Sequence, residues 1–284
     1  MDKYHQDKAI VITEVELRVK NLSTMRDYYE NAIGLNVIET KPGKVVLSVD
    51  GISPLITLVE NPDAYRRGQT VGLYHFAILL PERHDLGLFL RHVIKNQVSI
   101  SGAADHGVSE AIYLQDPENN GIEIYVDKDD STWYDEFGSL IMVTEELDYT
   151  GVYYSAADDE SFIKLPKGTI MGHLHLSVSS LEKAKKFYVD ALGFEISLDT
   201  YAKALFTRTA RYHHHLGLNT WMGEKLPLPN TTGLKSFVVR YPDCDSIQRA
   251  IEAVRSLKLP VTETNDGYQT VDFDGNSLYL RLHP

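Results

Sequence analysis

Apolar and polar residues alternate over residues 11–19, where Val15, Leu17 and Val19 share one face of a strand, and the period then lengthens. Met25, Tyr28, Tyr29 and Ala32 recur at helical spacing, Gly34 offers a C-cap, and another apolar strand follows. A shift of 159 residues lays this segment on a second copy without a gap: Leu17 falls on Leu176, Val19 on Val178, Leu22 on Leu181, Tyr29 on Tyr188, Ala32 on Ala191 and Gly34 on Gly193. A second pair begins at Gly72 and Gly233, with Pro81 over Pro242 at a shift of 161. Each member of that pair closes on a turn and a strand, DPENNGIEIYV in one and DFDGNSLYLRL in the other.

Four modules result, at about 11–62, 71–127, 169–223 and 233–284, each predicted as βαβββ. The expectation is an α+β protein with modules one and two in residues 1–127, a linker at 128–168, and modules three and four in residues 169–284. The linker is acidic and aromatic and closes on Pro166 and Gly168. It reads as a solvated connector packed against the surface rather than as a lid.

Composition narrows the function classes. A chain of 284 residues, 43% hydrophobic, can fill two cores. It has no run of roughly 18–20 apolar residues for a membrane span, and MDKYHQDKAIVITEVEL lacks the order of a signal peptide, so a soluble, cytoplasmic protein is expected. The formal charge of -12 disfavours nucleic acid and anionic membrane surfaces as partners. With Cys244 as the only cysteine there is neither an internal disulfide nor a cysteine cage, so any metal falls to imidazole and carboxylate. The eleven histidines keep that chemistry open.

The repeated modules, with the Phe-Tyr/Leu-Gly helix signature and the Asp-Pro-x-x-Asn-Gly-x-Glu strand entry, resemble the vicinal oxygen chelate (glyoxalase/bleomycin resistance/extradiol dioxygenase) superfamily over nearly the whole chain. GLYHFAILLP, DHGVSEAIYLQDPENNGIEIY, GHLHLSV and YHHHLGLNTW are similar to the bacterial catechol 2,3-dioxygenase-like group. The resemblance implies two cup-shaped mixed sheets with helices outside. It also implies metal ligands from the first strand of each module and from a late strand. Those positions hold Glu14, His75, His173 and Ser236, then Glu123 and Tyr279. Only modules two and three together supply two histidines and a carboxylate, so His75, His173 and Glu123 are the expected ligands and these two modules are expected to share a cup. His175, two residues along the same strand face, is the substitute for His173.

Two imidazoles and one carboxylate suit a non-haem Fe(II) oxygenase; Mn(II) or another divalent metal also fits. By the same resemblance His214 is the acid–base group, with His213 and His215 as alternatives, because a histidine can exchange protons near neutral pH. Tyr113 is similarly placed to the tyrosine that hydrogen-bonds a substrate oxygen, and His106 to a histidine that orients substrate or dioxygen. Plainer readings stand beside these: a strand histidine is usually an ordinary hydrogen-bonded residue, Tyr113 could be a packed strand tyrosine, and Trp221 could be core or interface packing. Asn219 could line the pocket, Glu14 is a half-exposed strand residue, and Asn119, Asn120 and Gly121 make a turn rather than a phosphate cradle. The implied activity is extradiol cleavage of a small aromatic diol by O2. Metal-dependent glyoxalase-like isomerase, lyase or thiol-transferase chemistry and non-catalytic ligand binding are the alternatives, and a homo-oligomer is compatible with all of them.

Overall fold

The computed structural model describes residues 3–6 and 8–284; residues 1, 2 and 7 of the first predicted pair of modules lie outside the described residues. Module one runs β1 (Val11–Val19), α1 (Leu22–Tyr28), β2 (Asn36–Lys41), β3 (Lys44–Ser48) and β4 (Ile56–Glu60). Module two runs β5 (Gly72–Leu80), α2 (Arg83–Lys95), β6 (Ile100–Asp105), β7 (Ser109–Gln115) and β8 (Gly121–Asp127). After a short helix α3 (Tyr149–Tyr153), module three runs β9 (Ile170–Ser177), α4 (Leu181–Ala184), β10 (Glu195–Leu198), β11 (Ala204–Arg208) and β12 (Leu216–Asn219). Module four has β13 (Gly233–Tyr241), α5 (Cys244–Ser256), β14 (Val261–Thr264), β15 (Gly267–Val271) and β16 (Ser277–Leu282). No helix among the described residues is long and apolar enough to cross a membrane.

The repeat extends to local chemistry. Asn21 and Ser180, equivalent under the 159-residue shift, each cap a helix by accepting from a backbone N–H three residues on. Both helices continue as π-helical turns, Tyr29–Ile33 and Lys185–Ala191, and leave them through Gly34 and Gly193 at φ +93° and +89°, a conformation costly for any residue with a Cβ.

The strands form two eight-stranded mixed sheets, ordered β14-β15-β16-β13-β1-β4-β3-β2 and β10-β11-β12-β9-β5-β8-β7-β6. Each sheet takes one module from each half of the chain: modules one and four meet at β1–β13, and modules two and three at β5–β9, both antiparallel. Strand alternation then sorts the faces. Phe76, Ile78 and Leu80 of β5, Ile122, Ile124 and Val126 of β8, and Leu174 and Leu176 of β9 join the main apolar core with the helices. The residues between them face the other way: His75 and Ala77, Glu123, Tyr125 and Asp127, His173 and His175.

The two sheets are tied by a buried pair of hydrogen bonds that the repeat supplies twice. Tyr29 of module one donates to Asp116 Oδ2 at 2.8 Å, and Tyr188 of module three donates to Asp272 Oδ2 at 2.8 Å. Asp116 also accepts from the backbone N–H groups of Glu118 and Asn120 and from Asn120 Nδ2, which folds the turn that delivers Gly121 and Glu123 to β8. Residues 128–168 depart from the solvated-connector expectation. Trp133 is fully buried, and Met142, Val143 and Thr144 line the cavity of the β5–β9 sheet, because Val143 and Glu145 pair by backbone with His106 and Asp105.

Gly121 sits where β8 runs against β5 beside His75, and a Cβ there would lie 2.3 Å from the Tyr74 carbonyl oxygen. Gly121→Ala is therefore expected to cost about 2–3 kcal/mol, read as a lower urea midpoint at unchanged m-value.

Candidate active site

Ala77 lies in the sheet between two of the expected ligands. It pairs with Glu123 on β8 at one side and with His173 on β9 at the other, while His75 lies two residues away on the same face. Its methyl group leaves room for the larger side chains to close over it. His75 Nε2 lies 3.0 Å and His173 Nε2 3.2 Å from the same oxygen, Glu123 Oε2. The three ligand atoms lie within 4.8 Å of one another, and all three residues are buried.

This cluster is poorly explained as a hydrogen-bond network alone. His75 Nε2 is buried and close to Glu123, yet its contact is too badly aligned to count as a hydrogen bond. Burial pushes the Glu123 carboxyl up, but His173 and His75 outweigh that and hold it well below the usual carboxylate range. Burial pulls His173 down to about 4 against the opposing pull of Glu123, so at neutral pH its ring is uncharged with a lone pair to donate. A carboxylate, the uncharged His173 ring and the His75 imidazole converging on one point fit a divalent cation, and the set is the two-histidine, one-carboxylate kind. Among the described residues no fourth ligand joins it.

The cluster forms part of the wall of a cavity of about 640 Å³ that also presents His106, Tyr113, His175, His214 and Trp221. His106 Nδ1 donates to the Val143 carbonyl at 2.8 Å, so its Nε2 is the acceptor for the Tyr113 hydroxyl at 2.6 Å. The Tyr113 proton is thus engaged within the protein, a difference from the expectation that it points at substrate. Burial, with Glu123 nearby, pushes the Tyr113 phenol well up.

His175 is not an alternative ligand through Nε2. Asn219 Oδ1 accepts from the Trp221 backbone N–H, which turns Asn219 Nδ2 toward His175 Nε2 at 3.0 Å. Gly217 makes room for that ring, for a Cβ there would lie 2.9 Å from it. The three consecutive histidines also separate. His215 accepts from the Thr209 backbone at Nδ1 and contacts the Tyr4 carbonyl through Nε2, His213 bonds Asp127 and His214, and of the three only His214 reaches the cavity. His214 packs its ring 4.2 Å from that of His173, and burial lowers its pKa well below the histidine norm.

The sequence reading overlooked Ala77, Asn219 as the prop for His175, and Asp127. A signal for Asp127 was present: Glu123, Tyr125 and Asp127 share one strand face at period two. Trp221, half-exposed, stacks edge-on with Tyr74 at 5.3 Å at the cavity wall rather than in the core. The opposite sheet places Glu14, Ser236 and Tyr279 around a second cavity, but Glu14 there accepts from Arg240 at 3.0 Å and among the described residues no histidine lines the space.

The model of the Glyoxalase/Bleomycin resistance protein/Dioxygenase superfamily matches residues 11–124 and 170–274. The chain is 39% identical over 279 residues, 96% of each chain, to a catechol-2,3-dioxygenase of Bacillus subtilis (strain 168). Among solved structures, a candidate dioxygenase from Bacillus subtilis superposes with a TM-score of 0.65 at 14% identity, covering 98% of this chain and 86% of that one. Glyoxalase I from Zea mays superposes at 0.59 and 17% identity, covering 95% and 92%. At such identities these two structures share the fold only.

The buried imidazoles set an acid limit for the metal-free protein. His173, at about 4 when folded and 6.5 in the unfolded chain, must take up a proton on unfolding, so its contribution is complete above pH 6.5 and is lost as the pH falls toward 4. Its share of that loss is on the order of 3 kcal/mol. His175 and His214, also lowered, act in the same direction, whereas Glu123 contributes only to losses below 4.5. Thermal unfolding of chelator-treated protein is expected to move to lower temperature between pH 7.5 and 5, with a shallower slope in His173→Gln.

Proposed function

The chain belongs to the glyoxalase/bleomycin resistance protein/dioxygenase superfamily, and on that footing we propose that it is a metal-dependent extradiol dioxygenase, opening a catechol-type ring with O2 at the bond beside the diol. One observation carries the reading: His75, His173 and Glu123 converge in a cavity that His214 also faces, in a chain similar from end to end to a catechol-2,3-dioxygenase. Fe(II) is the metal the donor set favours, with Mn(II) second.

Held by His75, His173 and Glu123, the metal would acidify the diol and couple its electrons to dioxygen. The protein's own part is proton handling and positioning. His214 takes a proton from a diol hydroxyl and returns it later in the cycle, which calls for a neutral ring at the start. Tyr113, its proton held by His106, offers an oxygen lone pair to the second hydroxyl. Trp221 and Tyr74 flank the aromatic ring, and Ala103, Met142, Val143 and Phe206 keep water from the reacting atoms. A glyoxalase-type reading would want a fourth ligand, which the cluster lacks among the described residues.

Protein stripped with chelator and reloaded anaerobically with Fe(II) is expected to consume O2 on addition of catechol and to form a yellow semialdehyde. His75→Ala and Glu123→Gln are expected to lose metal and activity together. His214→Gln is expected to keep metal and lose about 10²–10⁴-fold in kcat. Metal-loaded protein that takes up no oxygen with any catechol would end the dioxygenase reading and leave ligand binding in its place.

Substituent charge gives a second test. No Lys or Arg lines the cavity among the described residues, and Glu123 is ionised there. Catechols bearing a carboxylate are expected to fall at least ~10-fold in kcat/KM below methyl-substituted ones, the price of burying an unpaired anion, measured with an oxygen electrode.

A further inference from the structure

We propose that Asp127 and His213 are positioning residues that fix the tautomer of His214, holding its proton on Nδ1 and leaving a bare Nε2 as the base that faces the cavity. The inference rests on His214 as the acid–base group and adds how the chain prepares it.

The chain of contacts is short and buried. Asp127 closes β8, four residues beyond Glu123 on the same face, and its Oδ1 lies 2.9 Å from His213 Nε2. A carboxylate only accepts, so that nitrogen carries a proton. Tyr212 donates to the same oxygen at 3.0 Å and lies 2.8 Å from the Tyr125 hydroxyl, which anchors Asp127 independently of the histidines. His213 is fully buried between Asp127 and His214. A neutral His213 with its proton on Nε2 has a lone pair on Nδ1.

That lone pair decides the next ring. His213 Nδ1 and His214 Nδ1 are 2.8 Å apart, and two nitrogens that close share one proton. His213 has none to give at that position, so His214 supplies it. His214 Nε2 is then unprotonated, and among the described residues it has no hydrogen-bond partner in the protein. Proton transfer from a substrate hydroxyl forms one N–H bond at Nε2 and breaks one O–H bond, with Nδ1–H undisturbed. The imidazolium formed is stabilised by the Asp127 charge through His213. Were His213 an imidazolium instead, it would donate to His214 Nδ1, and His214 would face the cavity with an N–H, unable to act as a base.

The two arrangements differ in nitrogen NMR, which needs neither metal nor substrate. Chelator-treated protein labelled with 15N-histidine, with His214 assigned by its disappearance in His214→Gln, is expected to show a protonated-type Nδ1 and an unprotonated-type Nε2 on that ring. Asp127→Asn can donate to His213 Nε2, which reverses the chain: the His214 proton is expected to move to Nε2, with kcat in Fe(II)-loaded protein lower by about 10²-fold or more and KM within about threefold. Asp127→Glu, which keeps the acceptor, is expected to restore the wild-type nitrogen pattern and part of kcat. A wild-type His214 protonated at Nε2 would overturn the proposal even if Asp127→Asn failed to fold, as would a folded Asp127→Asn with unchanged nitrogen pattern and kcat. The predicted pattern in a protein that cleaves no catechol would overturn the function while leaving the tautomer assignment standing.

Discussion

The antiparallel seam of β5 against β9 is the constraint from which the site follows. It sets His75 opposite His175 and Ala77 opposite His173, so that both expected ligands lie on the concave face while Phe76, Ile78 and Leu174 go to the core. A slip of one residue would exchange those faces for the whole strand, burying imidazole among the helices and exposing leucine to the cavity. The register is therefore held by several kcal/mol of apolar burial on the side opposite the chemistry. The carboxylate is delivered by a second, parallel pairing, Ala77 with Glu123, and one small residue serves both seams.

The same topology built two cups, and side chains at equivalent places give them different physics. Where module two has Ala77 paired with Glu123, module four has Val238 paired with Tyr279, and where module three has His173, module one has Glu14. The second cup satisfies its carboxylate with guanidinium groups, Arg240 and Arg281, and so is internally neutralised. In the first, the carboxylate faces two imidazoles, His75 and His173, and burial holds His173 well below the histidine norm. A buried carboxylate met by imidazoles rather than by guanidinium groups is one on which a cation can bind.

What the sequence disclosed, and what it hid, divides by range. The four modules were readable because period-two and period-3.6 patterns are local and the repeat doubled each signal, down to Tyr29 and Tyr188. The sharing of one sheet by modules two and three was readable only through chemistry: His75, Glu123 and His173 make a set only in that pairing. Hidden were relations with no local trace. Nothing near Val143 announces that its carbonyl fixes the His106 ring, and nothing in His213-His214-His215 says which ring reaches the cavity until β12 is laid against β9. Residues 128–168 misled because acidic composition records their exposed positions, while Trp133 and Met142–Thr144 act through the few that are not.

Because each sheet is completed by modules from opposite halves, synthesis of this chain has an awkward interval. When residues up to about 127 have left the ribosome, β1 and β5 each lack the neighbour on one side that they will have in the finished molecule, β13 and β9, still to be made. Two long, apolar strand edges stand open to pairing with another chain during that time. Their eventual partners lie far along the sequence, so closure is entropically slow. The Tyr29–Asp116 bond, made wholly within the first half, can already hold those two edges in their final relation and present a template on which modules three and four settle.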